Sequence, residues 1–135
     1  MGKVDFQSHI IKIQASTEAV FNFVKDLNNF EKMMPEQVIN WKSTENDCEF
    51  DIKGMAHIGL LKESEVPNRS VSIISKPDNP IDLKISAFIE PDGTGTQSHL
   101  VLTANLSPIL QMMASSPLQN LVNIMAEKLK NNFEF

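Results

Sequence analysis

Tyrosine is absent from this chain of 135 residues, and cysteine, tryptophan and arginine occur once each, as Cys48, Trp41 and Arg69. A lone cysteine rules out an internal disulfide and favours a reducing compartment. The missing tyrosine removes a common acid and hydrogen-bonding group of ketone chemistry. One arginine among dispersed lysines, within a net charge of -5, argues against a nucleic-acid partner, because phosphate binding needs clustered cations. No apolar run approaches the roughly 18 residues of a membrane span, so no transmembrane segment is expected. The opening "MGKVDFQSHIIKIQ" has no apolar stretch long enough for a signal peptide, and Gly2 lacks the Ser or Thr of a myristoylation site. The expectation is a soluble cytoplasmic protein.

Chemical signatures are equally scarce. His9, His57 and His99 fall in no HxH or HExxH pattern, and Cys48 has no CxxC partner, so no metal is expected. A nucleophile elbow, a P-loop and a dinucleotide fingerprint are missing, and no cofactor is expected. "PDGTG" lies between two alternating segments with no helix after it, which makes it a hairpin turn.

What is present describes one globular domain. Hydrophobic residues make up 41% and charged residues 21%, and a chain of this length buries a core without a metal or disulfide. Residues 3–14 alternate, with Val4, Phe6 and Ile10 on one parity and Ile11 and Ile13 on the other, which predicts a strand with a bulge or a change of buried face. Val20, Phe23, Val24 and Leu27 then fall at helical spacing behind Ser16 as N-cap. Asn28 and Asn29 interrupt that helix, and "FEKMM" supplies a short second one before Pro35 stops it. Residues 37–106 read as strands, with clean alternation in "CEFDI", "IDLKISAFI" and "SHLVLTANL". The turns between them, "TEND", "VPNR", "KPDNP" and "PDGTG", are too short for parallel crossovers, so the strands form a six-stranded antiparallel meander. Ser116-Pro117-Leu118-Gln119 reads as the start of a last helix, with Gln119 placed for a capping box and "PILQMMAS" before it as a separate helical turn. Leu118, Leu121, Val122, Met125, Leu129 and Phe133 form its apolar stripe.

The order is strand, two short helices, six-stranded meander and long C-terminal helix. It resembles the START-like, or SRPBCC, superfamily, as do the motifs "IKIQASTEAVFNFVKDLNNFEKMMP", "VINW", "FDIKGM" and "GLLKESEVP". The relatives include polyketide cyclase/dehydrase-type, carbon monoxide dehydrogenase subunit-type and lipid-transfer proteins. The resemblance covers the whole chain and implies an α+β helix-grip fold. In that fold a seven-stranded curved antiparallel sheet (β-α-α-β6-α) wraps around the C-terminal helix and leaves a cavity between them.

The resemblance further implies that the chain binds a small hydrophobic or amphipathic ligand, lipid or polyketide-like. Its candidate wall is Phe30, Met33, Met34, Trp41, Phe50, Ile52, Ile73, Ile85, Leu102, Met112, Met113, Leu121 and Met125. Ile39 and Trp41 share a strand parity and are expected to face inward. The methionine pairs suit an adaptable wall, and core filling is the ordinary alternative. A cyclase or dehydrase reading instead needs His9, His57, His99, Asp26 or Glu31 facing inward, and His57 and His99 can meet across the meander. A co-chaperone-like interaction module would show a contiguous exposed apolar patch.

Overall fold

The computed structural model describes residues 2–54, 56–77, 79 and 81–134. Met55 of "FDIKGM" and Asp78 and Pro80 of the "KPDNP" turn lie outside the described residues. The chain runs β1 (Gly2–Gln7), β2 (Ile11–Ile13), α1 (Thr17–Val24), a 3-10 helix (Leu27–Met33), β3 (Val38–Ser43), β4 (Asp47–Ile52), β5 (Ala56–Val66), β6 (Ser70–Ser75), β7 (Asp82–Asp92), β8 (Gly95–Leu106) and α2 (Pro108–Asn131). All strands form one antiparallel sheet in the order β1-β8-β7-β6-β5-β4-β3, and β2 pairs with the other end of β8. Counting β1 and β2 as one interrupted strand gives the seven strands expected.

The interruption is the change of buried face that residues 3–14 imply. Phe6 is buried on β1, and Ile11 and Ile13 are buried on β2, so the inward parity switches between them. Ser8 makes the switch while keeping both backbone groups of Leu100 bonded. Its amide donates to the Leu100 carbonyl and its hydroxyl accepts from the Leu100 amide, both at 2.9 Å. Gly95, where β8 begins, lies so close to β2 that a Cβ there would sit 2.7 Å from the Ile13 carbonyl oxygen.

One face of the sheet is covered by all three helices. α1 lies over β6, β7 and β8, while α2 packs on β8, β1, β2 and the 3-10 helix. Ser16 caps α1 as expected, accepting from the Ala19 amide at 3.1 Å. The 3-10 helix starts at Leu27, before the Asn28-Asn29 pair rather than after it: Asp26 is its cap and accepts from the Asn28 amide at 2.9 Å. Met34 closes it in extended conformation ahead of Pro35.

α2 corrects the expected break at Ser116-Pro117. It is one continuous helix from Pro108, with Ser107 as N-cap and Pro117 in its interior. Both Ser-Pro pairs offer a Ser N-cap followed by Pro, and although only the second adds a capping-box Gln, the earlier one prevails. The inward stripe Ala114, Leu118, Leu121 and Val122 runs across the second pair and holds the helix together. Pro117 is exposed, so the Met113 carbonyl it leaves unbonded lies on the solvent side, where water can serve it. Gln119, freed from any capping box, donates instead to the Gln7 carbonyl at 2.8 Å.

β3 corrects a second expectation. Its register with β4 slips between Ile39 and Lys42, and Asn40 adopts a φ of 57°. This bulge puts an extra residue on β3 and divides Ile39 from Trp41, so the two do not share a face. Trp41 turns inward and stacks on Phe50, with centroids 5.2 Å apart, while Ile39 is exposed.

Cys48 sits in this core, on the inward face of β4. Burial, reinforced by the neighbouring Asp47 charge, pushes its thiol up to about 12. The thiolate is the reactive form, so at pH 8 a disulfide reagent is expected to modify Cys48 only as fast as the domain opens. Modification at the rate of a free thiol in native buffer would show that β4 is not packed as described.

Candidate functional site

The inner face of the sheet is where a ligand of this architecture would lie, and there the side chains close against one another. Phe30, Met33, Met34, Phe50, Ile73, Ile85, Leu102 and Met125 are all buried in one apolar cluster. Trp41, Ile52 and Leu121 are half-buried at its margin. Met112 and Met113 are placed differently: they are 87% and 70% exposed, on the outer side of α2, so they line no part of the sheet–helix interior. The reason is the helix continuity just described, which turns the "QMM" stretch to the solvent side.

The helix does not grip the sheet evenly. Val122, Met125, Ala126 and Leu129, on the inward stripe of its second half, are fully buried. Ala114 and Leu118, on the same stripe in the first half, and Leu121, just past the midpoint, are only half-buried. On the sheet side Val4, Val38, Ile52 and Ala56 are likewise half-buried. From Ser107 to Ala126 the helix carries no charged residue. Two glutamines fasten its first half to the sheet. Gln111 donates to the Leu106 carbonyl at 3.1 Å and Gln119 donates to the Gln7 carbonyl.

Two surface concavities stand apart from this seam. One, of about 850 Å³, is polar and open, and is lined by Lys12, Gln14, Asp92, Thr94, Thr96 and Lys130. The other, of about 520 Å³, lies by the β6–β7 turn against Leu61, Ile74 and Ile81.

The candidate proton-transfer groups do not converge. His9 is exposed in the segment between β1 and β2 and pairs with Glu127 at 2.7 Å. Asp26 is a helix cap and Glu31 is exposed. His57 lies on β5 and His99 on β8, with β6 and β7 between them, so they do not meet. At about 4.8 Å per strand spacing that separation is roughly 14 Å. His99 stacks on Phe88 of the adjacent strand, on the face away from the helices.

Sequence reasoning missed a cross-strand network around His57. The β4–β5 register sets His57 opposite Asp51. The ring lies 2.7 Å from Asp51 through Nδ1 and 3.1 Å from Glu49 through Nε2. Asn40, at the β3 bulge, donates to the other Asp51 oxygen at 2.8 Å, and Lys76, just past the end of β6, reaches Asp47 at 2.8 Å and Glu49 at 3.6 Å. The signal was available in part, since the alternation of "CEFDI" already sends Glu49 and Asp51 to one face. What was missing was the hairpin register. Among the described residues no group of three potential ligands could hold a metal ion.

The arrangement raises the His57 pKa above its ordinary 6.5, chiefly through the Asp51 bond and then the Glu49 bond. It lowers both carboxylates, Asp51 chiefly through Asn40 and then His57, Glu49 chiefly through His57. The stabilisation from protonated His57 is therefore present below pH 6.5 and lost as pH rises through its raised pKa, while the carboxylate contribution is lost as pH falls below the carboxylates' ordinary range. A proton NMR titration is expected to place His57 above 6.5 in the native protein. Asp51→Asn should lower it more than Glu49→Gln; an unshifted His57 would dissolve the network.

No protein-family model matches the chain, and no curated protein matches it in sequence. Solved structures do resemble it. A protein from Thermus thermophilus has 18% identity over 96% of this chain and 97% of that one, with a TM-score of 0.75. The Aha1 dimer of Colwellia psychrerythraea has 18% identity over 98% and 97%, with a TM-score of 0.68. A START superfamily protein from Mycobacterium smegmatis has 13% identity over 97% and 96%, also at 0.68. These likenesses establish the architecture: the protein has the START-like helix-grip fold. No helix among the described residues is long and apolar enough to cross a membrane.

Proposed function

We propose that the protein binds a small apolar or amphipathic molecule, of lipid or polyketide-like character, between the first half of α2 and the sheet. The observation that carries this reading is the uneven grip: a continuous inward stripe that is fully buried at Val122–Leu129 and only half-covered at Ala114, Leu118 and Leu121. Half-covered leucines on a charge-free stretch of helix are surface that an apolar guest would bury, at about 25 cal/mol per Å². The interior is closed in this structure, so entry requires the first half of α2 to move outward. Pro117 suits that motion, because it removes a helical hydrogen bond near the boundary between the two halves. Met33, Met34 and Met125 behind the seam have the soft, unbranched side chains that re-pack around a guest. With His9, His57, His99, Asp26 and Glu31 all placed away from the seam, the same reading assigns no proton-transfer chemistry.

Native mass spectrometry and solvent extraction of freshly purified protein test this. A retained small molecule is expected, and 1-anilinonaphthalene-8-sulfonate should bind the emptied protein with enhanced fluorescence. Leu118→Glu is expected to reduce dye binding about tenfold or more while the fold survives, because a half-exposed carboxylate can stay hydrated. Met113→Glu, at an exposed position, should change neither the fold nor the binding. A native protein that retains nothing and binds no dye, or dye binding indifferent to Leu118→Glu, would overturn the reading.

A further inference from the structure

The sheet has two edges, β3 and β1. β3 is blunted by the Asn40 bulge, a common protection against edge pairing. β1 carries no bulge, only the charged side chains of Lys3 and Asp5. It runs in unbroken register with β8 from Gly2↔Leu106 to Gln7↔Val101, and no other described strand pairs with its far side.

Which backbone groups face outward follows from one bond. The Ser8 amide donates to Leu100, its register partner, so the even-numbered residues of β1 exchange hydrogen bonds with β8. The N–H and C=O groups of Lys3, Asp5 and Gln7 therefore point away from the sheet. Gln119 agrees, since it reaches the Gln7 carbonyl from α2. Among the described residues, the outward groups of Lys3 and Asp5 have no hydrogen-bond partner.

We propose that β1 pairs antiparallel with β1 of a second copy of this chain, about a two-fold axis at Val4. That register sets Lys3 opposite the partner's Asp5 and Asp5 opposite the partner's Lys3, two hydrogen-bonded pairs that also match charge. An axis at Asp5 would set like charges against each other. An axis at Phe6 would call on the Gln7 carbonyl that Gln119 already occupies. The sequence Lys3-Val4-Asp5 is thus self-complementary in one register only.

The helix beside this edge fits the same partner. Gln111 and Gln119 lay the first half of α2 along β1. Met112 lies seven residues before Gln119, two helical turns, and so shares its flank. Ile109, one turn earlier, is 71% exposed beside it. An antiparallel two-fold pair keeps both helices on one side of the extended sheet and brings these uncharged flanks together. A second copy accounts at once for the unpaired edge, the alternating charges on it and the exposed apolar residues next to it.

Sedimentation equilibrium of the full chain tests the proposal independently of any ligand. The expected mass at about 100 μM is twice that of the monomer. Lys3→Glu and Asp5→Lys, both at exposed positions, should each weaken the dimer about tenfold, since each sets like charges opposite one another twice per dimer. The double variant K3E/D5K should recover wild-type association to within about threefold, and Met112→Glu should weaken it. A chain that stays monomeric, a dimer insensitive to both single charge reversals, or a double variant without recovery would overturn the proposal. So would a dimer lost only in Met112→Glu, which would mean a helix contact without the strand.

Discussion

The placement of β8 is the constraint on which the other elements depend. It is the longest strand and pairs with β7 from Gly95 to Asn105 on one side and with β1 then β2 on the other, and α2 packs across it. Its alternation is complete: Thr96, Ser98, Leu100, Leu102, Ala104 and Leu106 are all buried. The buried polar members of that row are each bonded. Thr96 donates to the Ala15 carbonyl at 2.7 Å, which fixes the point from which α1 departs, and Ser98 donates to Phe88 at 2.6 Å. Two short strands can share the one side of β8 only if the chain between them switches parity. Ser8 supplies the bonds that this switch would otherwise leave open.

Much of this was legible because period-2 and period-3.6 patterns are local. β4, β7 and β8 follow their alternation, Ser16 caps α1, and the parity change between Phe6 and Ile11 is written in the residues themselves. The misreadings share a cause: each was decided by contacts with distant residues. Trp41 and Ile39 part company because a bulge held by Asn40 and Asp51 inserts a residue, and an alternation rule cannot see a partner strand. Ser116-Pro117, with Gln119 behind it, is in isolation a fuller start signal than Ser107-Pro108, and only the sheet beneath Ala114 and Leu118 decides that the helix runs through it. Met112 and Met113 then follow the helix to its outer side.

Charge and apolar surface are separated on this molecule with some consistency. The ionic groups of β4 to β6 form a connected lattice on the face away from the helices, from Asn40 through Asp51, His57 and Glu49 to Lys76 and Asp47. Every member is solvent-accessible, so water screens each pair and the lattice contributes register more than energy. α2 has the opposite character until Glu127. A helix with no charge on its outer side forgoes the hydration that usually keeps a surface helix free of partners, and that absence weighs more than any one exposed methionine.

The proposed binding turns on how α2 is held at its two ends. Its second half is locked by four fully buried side chains, and removing any of the larger ones would cost about 2–5 kcal/mol. Its first half rests on half-covered leucines and two glutamine bonds, worth about 1 kcal/mol each. A segment with so few buried contacts is the part of the fold that can open without global unfolding. The two glutamines bind it to opposite ends of β1 and its neighbour: Gln111 at Leu106, and Gln119 at Gln7 on the open edge itself. Lifting the first half of α2 for a guest would therefore release the Gln7 carbonyl at that edge. The seam that would admit a ligand and the edge that would meet a second copy are thus joined through one side chain, Gln119.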